Sequence, residues 1–252
     1  MLEPLGYKPR FLNSLFTVFT GNLVNLGIPR AGEFTRAVSF SKYEKIPFQK
    51  VFGTIVAERI ADLFMLFLII LISLFFQFNL IWDLIQQRFP NNPLLVIEFL
   101  LLFLLMILVV FLLIKKINQA FYYRIKVFVK ELIEGGMSIL KMKKKVAFIF
   151  HTILIWVLYV LMFYTASFAL PETSNLSFGA LSSAFIVGSL SIAATNGGIG
   201  SYPLGVQKVL MLYGILALPA LTIGWIIWTA QTLLVIISGG ISFLLLPIIN
   251  RK

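Results

Sequence analysis

Long apolar runs alternate with short polar or basic segments along most of this chain. Four of these runs reach about 20 residues, the length that an α-helix needs to cross the ~30 Å hydrocarbon layer of a bilayer. Polar residues or helix breakers, such as the FPNNP segment at 89–93, bound the runs. We therefore predict an all-α, polytopic helical membrane protein that crosses the bilayer at residues 51–78, 94–114, 146–170 and 219–249.

Two further apolar segments are broken rather than continuous. Residues 11–28 carry several polar side chains and end at a Gly-Ile-Pro break at 27–29. Residues 179–194 are short for a crossing and lead into TNGGIGSYPLG at 195–205, whose glycines and proline exclude a continuous helix. A second short helix is predicted at 206–217. Each segment is thus predicted to be a helix–break–helix element.

The positions of the basic residues predict the orientation of the chain. Because cytoplasmic loops carry an excess of Lys and Arg, three segments are predicted to be cytoplasmic: residues 30–50, 115–145 and 251–252. Residues 11–28 then cannot be a simple crossing and should return to the cytoplasm through 31–45. Because 146–170 should end outside and 219–249 should return to the cytoplasm, residues 179–217 should enter the membrane from the outside and leave it on the same side. The two broken elements would enter from opposite faces, as in inverted-repeat transporters.

Composition agrees with a membrane protein. Apolar residues make up 60% of the chain and charged residues 12%, against about 25% in an ordinary soluble domain. The net charge of +11 lies mostly in loops, which favours anionic lipid headgroups as partners of the basic loops and not nucleic acid. Residues 115–145 should form a basic amphipathic cytoplasmic loop. With no Cys and one His, we expect no cofactor, no metal and no catalytic residues.

The first candidate site is the segment NLGIPRAGEFTR at residues 25–36. A helix that starts at Pro29 would place Arg30, Glu33 and Arg36 on one face, with Glu33 bridging the two guanidinium groups. Arg is well suited to two-point contacts with phosphate, so the segment favours an anionic ligand. The alternative is a cytoplasmic loop with ordinary orienting charges.

The second candidate is a charge cluster inside an apolar run. On a helix, Asp62 lies about 40° and Arg59 about 100° from Glu58, so the three share one sector. A charge within a membrane helix costs about 2.5–3.5 kcal/mol on insertion scales, which predicts a polar cavity or a partner. Arg59 should pair with Asp62, and Arg30 or Arg36 should supply the remaining positive charge. The alternative places the cluster in the headgroup zone.

The third candidate is the glycine-rich turn, with Asn196, Gly197, Gly198 and Gly200 as binding residues. Unwound backbone at membrane depth is tolerated where it lines a cavity or is packed by protein. Its N–H groups could cradle an anion together with the start of the next helix. The alternative is that the glycines only permit close helix packing.

These segments together resemble a known family. An N-x-x-x-P-R-x-G-E-x-x-R element at 25–36, an E-R-x-x-D element at 58–62 and a late G-G-I-G turn occur in order. This pattern is similar to the transmembrane domain of lysylphosphatidylglycerol synthetases, which also occurs alone as a flippase-like family in bacteria and archaea. The resemblance implies lipid translocation, with aminoacylated phosphatidylglycerol as the substrate of the fused synthetases. These 252 residues contain no aminoacyl-transfer domain, so that lipid is not carried over.

Two features depart from the family pattern. Members often have an Arg-Glu pair after the turn, where this chain has Tyr202 and Pro203. Members also usually carry two helices before the first motif, so residues 1–252 are expected to be a single flippase-like domain that lacks them. The expected function is translocation of a membrane phospholipid or lipid-linked substrate with an anionic or zwitterionic headgroup in the prokaryotic plasma membrane. The alternative is an accessory membrane protein or an enzyme that acts on lipid-linked substrates.

Overall fold

The computed structural model describes residues 1–2, 5–78 and 144–251, together with positions 82, 86, 101, 105 and 123. Within these residues the chain is helical and contains no strand, which confirms the predicted all-α class. The helices are α1 Phe11–Gly27, α2 Ala31–Glu44, α3 Phe48–Phe76, α4 Lys145–Ser167, α5 Phe178–Ala194, α6 Ser201–Leu212 and α7 Ala217–Ile249, with a short 3-10 helix at Pro171–Thr173.

Three of these helices, α3, α4 and α7, are long and apolar enough to cross a membrane. They correspond to the predicted crossings at 51–78, 146–170 and 219–249, and each begins within three residues of the predicted start. The predicted crossing at 94–114 and the predicted basic loop at 115–145 lie outside the described residues, apart from isolated positions.

The outer faces of the long helices carry large apolar side chains. Phe75 on α3 is 80% exposed and Leu244 on α7 is 66% exposed. Soluble proteins rarely expose apolar surface on this scale, whereas hydrocarbon favours it. The exposed faces therefore agree with a multi-pass membrane protein.

A buried apolar core holds α4, α5, α6 and α7 together. Phe163 of α4 and Phe185 of α5 meet edge to face with their ring centroids 6.4 Å apart, and Leu210 and Ile223 are fully buried beside them. A second cluster joins α2 to the start of α3 through Ala37, Phe40, Ile46, Val51 and Ile55. These two cores fix the helices that carry the candidate residues.

Helices α1 and α2 form a hairpin in which the two helices pack against each other. The backbone breaks at 28–30, and Gly32 of α2 packs so closely on α1 that an added Cβ would collide with the carbonyl oxygen of Gly21. At the open end, Asn13 Nδ2 donates to Glu44 Oε1 (2.5 Å) and to Asn250 Oδ1 (3.0 Å). The hairpin therefore begins and ends beside the C-terminal end of α7.

Helices α5 and α6 form a second hairpin. The Ser177 hydroxyl caps the start of α5 by accepting a bond from Ala180 N–H. At the open end, Ser183 and Tyr213 lie 3.2 Å apart through their hydroxyl oxygens, and both bond to Gln77 just after α3. This hairpin therefore begins and ends at the C-terminal end of α3.

The predicted position of the second half of this hairpin is wrong. Helix α6 covers Ser201–Leu212 and not 206–217. Pro203 does not delay the helix, because a proline in the first turn lacks only an N–H group that has no partner within the helix. The turn itself shortens to residues 195–200, between the two helices.

The two hairpins open at opposite ends of α3. The first opens near the start of α3, which follows α2 after a three-residue link at 45–47, and the second opens at the other end of α3. The two broken helical elements are confirmed. Because α3 is a candidate crossing, entry of the two hairpins from opposite faces of the membrane stays a prediction. The cytoplasmic assignment of one face stays a prediction from the basic residues.

Candidate functional site

The breaks of the two hairpins lie against each other. An added Cβ on Gly197 would lie 3.4 Å from Leu26 Cδ2, so the turn of the second hairpin packs against the end of α1. Trp228 of α7 donates from Nε1 to the Gly197 carbonyl oxygen at 2.8 Å and holds the turn in place. Two breaks that lie about 170 residues apart in sequence are thus adjacent in space.

A cavity of about 540 Å³ lies where the breaks meet, and we call it the tip cavity. The candidate residues in its lining come from all three predicted segments and are Arg30, Glu33, Arg59, Asn196 and Gly197. Helix α7 closes the far side with Trp228, Gln231 and Thr232, which the sequence did not single out as binding residues. The structure therefore brings both hairpin breaks and Arg59 of the α3 charge cluster to one cavity.

A second cavity, of about 470 Å³, lies between α1, α2, α3 and α4, and we call it the central cavity. Its charged lining consists of Glu33, Arg36, Glu58, Arg59 and Asp62. These five side chains are between 22% and 50% exposed, so water or a ligand can reach them.

Arg36 and Glu58 form a two-point ion pair between α2 and α3. The Arg36 Nη1 and Nη2 atoms each lie 3.0 Å from one oxygen of the Glu58 carboxylate. Such parallel contacts are among the strongest and most directional charge-assisted hydrogen bonds. The prediction that Arg30 or Arg36 supplies a positive charge to the α3 cluster is confirmed for Arg36.

Arg59 makes two ion pairs at once. Its Nε lies 3.3 Å from Glu33 Oε1 on α2, and its Nη1 lies 3.2 Å from Asp62 Oδ2 one turn along α3. The predicted Arg59–Asp62 pair is confirmed. Trp156 of α4 also donates from Nε1 to Asp62 Oδ1 at 3.3 Å, so Asp62 is held from a third helix.

Glu33 does not bridge Arg30 and Arg36, and that prediction is wrong. Helix α2 begins at Ala31 rather than at Pro29, so Arg30 precedes the helix and does not share its face. Glu33 instead points to Arg59 on α3 and accepts a bond from Asn25 Nδ2 at 3.3 Å. The ion pairs therefore run between helices and not along α2.

Asn25 is a structural residue of the site that the sequence placed in the motif but not among the binding residues. Its Oδ1 accepts a 2.7 Å bond from Gly32 N–H, an otherwise unpaired group at the start of α2. Its Nδ2 holds Glu33. A single side chain thus stabilises the return of the first hairpin and positions one carboxylate.

Arg30 occupies an unusual backbone position. Its φ of 62° and ψ of 4° place it in the left-handed region, which is uncommon for residues other than glycine and costs of order 1 kcal/mol or more. Within the described part of the chain its guanidinium forms no ion pair and no hydrogen bond. The tip cavity therefore contains one unpaired guanidinium beside the doubly paired Arg59.

Only part of the glycine-rich turn lines the tip cavity. Asn196 and Gly197 line the tip cavity, whereas Gly198 and Gly200 do not. Gly197, Gly198 and Gly200 have φ values of 65°, 73° and 72°, which permit the tight reversal between α5 and α6. The anion-binding role of Asn196, Gly197, Gly198 and Gly200 stays a prediction, and only the first two of these residues line the tip cavity.

Tyr202 and Pro203, which stand where family members often have an Arg-Glu pair, are packing residues here. Tyr202 is 3% exposed, and its ring lies so close to Gly188 that an added Cβ there would be 2.6 Å from Tyr202 Cε2. The Pro203 backbone packs against Gly224 of α7 in the same way. The start of α6 is thus held by close packing and carries no charge.

Helix α4 contributes a wall to the central cavity that the sequence did not identify. His151, Thr152 and Tyr159 line it. The signal in the sequence is that Tyr159 follows the adjacent pair His151 and Thr152 by about two turns, which places polar side chains on one side of an apolar helix. The described residues include no group of three or more His, Cys, Asp or Glu side chains that could hold a metal ion.

The comparisons with known proteins agree with this arrangement. The family model described as "Lysylphosphatidylglycerol synthase TM region" matches residues 1–239, a stretch that contains all three motifs and both cavities. No curated protein and no solved structure matches the chain significantly. On the extent of the family match, the chain belongs to the lysylphosphatidylglycerol synthase transmembrane region family and is a membrane protein.

Proposed function

We propose that this protein translocates a lipid with an anionic or zwitterionic headgroup across the cell membrane. The observation that carries the proposal is the tip cavity, in which Arg30 and Arg59 line the same space as the second hairpin break. The headgroup binds there, and the acyl chains stay against the apolar outer faces of the helices.

The charges of the two cavities suit a phosphate-bearing headgroup. Three Arg residues stand among three carboxylates, and among the described residues Arg30 has no ionic partner. A phosphate would pair with Arg30 and compete with the carboxylates for Arg59, because guanidinium binds both anions with the same geometry. The remaining carboxylates could accept the cationic part of a zwitterionic headgroup.

The geometry of the hairpins also favours transport. Broken helices that enter from opposite faces and meet near the midplane place a polar site where either side of the membrane can be given access to it. A cavity of about 540 Å³ lies within the range of small-molecule sites and can hold a headgroup. The basic segments would contact anionic lipids at the cytoplasmic surface.

The proposal is tested in proteoliposomes that contain acyl-chain-labelled phosphatidylglycerol or phosphatidylethanolamine as probes. Chemical quenching of the outer leaflet measures how much labelled lipid becomes accessible with time. We expect the wild-type protein to increase the accessible fraction of at least one probe, and Arg30→Ala to abolish the increase while the protein still inserts.

Lys45→Ala is a matched control for Arg30→Ala. Lys45 is also a base at the end of α2 with a left-handed backbone (φ 55°), but it lines neither cavity. It should translocate like the wild type. Equal lipid movement in Arg30→Ala and wild-type vesicles would contradict the proposal.

A chemically altered lipid, detected by mass spectrometry, would instead support an enzyme that acts on lipid-linked substrates.

A further inference from the structure

A third cavity extends the polar interior towards the open end of the first hairpin. It has a volume of about 390 Å³ and is lined by residues that include Pro9, Ser14, Phe40 and Thr54; we call it the basal cavity. Ser14 follows Asn13, which bonds to Asn250 at the C-terminal end of α7. The basal cavity therefore lies near the face from which the first hairpin enters.

The three cavities adjoin in a fixed order. The basal and central cavities share Met1, Val18, Arg36 and Glu58 in their linings. The central and tip cavities share Asn22, Asn25, Glu33 and Arg59. The basal and tip cavities share no lining residue. A path from the face of Asn250 to the tip cavity thus passes through the basal and central cavities in turn.

Each boundary between neighbouring cavities contains one ion pair between α2 and α3. The Arg36–Glu58 pair stands between the basal and central cavities, with both contacts at 3.0 Å. The Glu33–Arg59 pair, at 3.3 Å, stands between the central and tip cavities. The order of charges is reversed between the two pairs, because the first takes its Arg from α2 and the second takes its Arg from α3.

We propose that these two ion pairs are gates in series on a single headgroup path. The inference rests on the proposed translocation, and it adds the route and the residues that close it. A phosphate that enters the basal cavity competes with Glu58 for Arg36, which opens the first gate. It then competes with Glu33 for Arg59 and reaches Arg30, so the headgroup itself replaces the carboxylate at each step.

The same two pairs could instead only hold α2 against α3, and this alternative predicts a different result. If the pairs only hold α2 against α3, their loss should lower stability without a defined effect on the cavities. If they are gates in series, their loss should make the cavities accessible to a reagent in a defined order. Access can be measured with single cysteines, because the chain contains none of its own. Suitable positions are Ser14 in the basal cavity, Thr152 in the central cavity and Thr232 in the tip cavity.

The experiment places each single-Cys variant in vesicles of an uncharged glycolipid without phosphate and adds a membrane-impermeant cationic thiosulfonate only at the face of Asn250. Ser14→Cys should react in every background. Thr152→Cys should react at least about tenfold faster when Glu58→Gln is present, as expected when a charge-assisted contact of the closed state is lost. Thr232→Cys should accelerate by a similar factor only when Glu58→Gln and Glu33→Gln are combined.

Glu44→Gln is the matched control, since Glu44 is also a carboxylate of α2 but lines none of the three cavities. It should change no reaction rate. If Glu58→Gln does not fold, Arg36→Lys weakens the same pair without removing the charge. The gating proposal is contradicted if Thr232→Cys reacts in the double variant at the rate it has in the otherwise wild-type protein. It is also contradicted if Glu58→Gln alone accelerates the reaction of Thr232→Cys.

The occupant is tested in the otherwise wild-type protein. Addition of phosphatidylglycerol to the vesicles should accelerate the reaction of Thr152→Cys, and inorganic phosphate alone should not. An equal acceleration by inorganic phosphate would overturn a lipid headgroup as the ligand that opens the gates. The cysteine reaction rates do not depend on completed lipid movement. The experiment can therefore contradict the gating proposal while the translocation assay supports the proposed function, or support gating while no lipid is translocated.

Discussion

Glu33 of α2 lies 3.3 Å from Arg59 of α3, although the sequence places it at helical spacing from Arg30 and Arg36. The pair joins the first hairpin to a membrane-crossing helix at the boundary of two cavities. Arg36 and Glu58 make the corresponding contact one turn further along α2. The charged residues of two separate motifs therefore form one network between helices.

Loss of one partner of the Arg36–Glu58 pair should destabilise the protein moderately. Arg36→Lys keeps the positive charge but loses the planar two-point contact. We expect the free energy of unfolding in detergent to fall by about 1.5–3 kcal/mol, the range for hydrogen bonds to charged groups. A double-mutant cycle with Glu58→Gln measures the coupling, and strictly additive effects would show that the contact contributes nothing.

Arg30→Gly should separate stability from function. Glycine adopts the left-handed backbone of this position without steric cost, so we expect the free energy of unfolding to rise by about 0.5–1 kcal/mol or stay unchanged. Lipid translocation should be lost because the guanidinium is removed from the tip cavity. Lys45→Gly, at the other left-handed position, should show the same stability effect with translocation retained.

Gly32→Ala should disrupt the first hairpin. An added Cβ would collide with the Gly21 carbonyl oxygen and lie 2.6 Å from Asn25 Cγ, and backbone atoms cannot move aside as a flexible side chain can. We expect a loss of about 1–3 kcal/mol, typical of overpacking, or failure to fold. Gly27→Ala is the control, because nothing lies within 4 Å of its added Cβ, and thermal unfolding of the two variants compares them directly.

Gln77→Leu should loosen the second hairpin from α3. The Gln77 side chain donates to Ser73 and Ser182 and accepts from Ser183 and Tyr213, so it joins α3, α5 and α6 in a buried cluster. Its removal leaves hydroxyl groups without partners, which costs about 1–3 kcal/mol. Gln207→Leu, at a half-buried glutamine of α6 that makes one exposed bond to the Ala217 carbonyl oxygen, should change the unfolding temperature far less.

Local chemistry was sufficient to predict the helices and their breaks. The length of the apolar runs predicted α3, α4 and α7, and the glycines and prolines predicted both breaks, because these properties act on neighbouring residues. The start of α6 was misplaced, since a proline can either end a helix or stand in its first turn. The residue types alone do not distinguish the two cases.

What the sequence by itself determined is the class of the protein and the residues that must be kept from hydrocarbon. Charges such as Glu58 and Asp62 within an apolar run require partners or a cavity wherever the helices lie. The spacing along α3 predicted the Arg59–Asp62 pair. Only the tertiary structure decided the partners from other helices: Arg36 of α2 for Glu58, Trp156 of α4 for Asp62, and Glu33 of α2 for Arg59. The reason is geometric. A one-residue change in where α2 begins rotates each side chain by about 100°, and contacts between distant helices depend on that rotation and on packing.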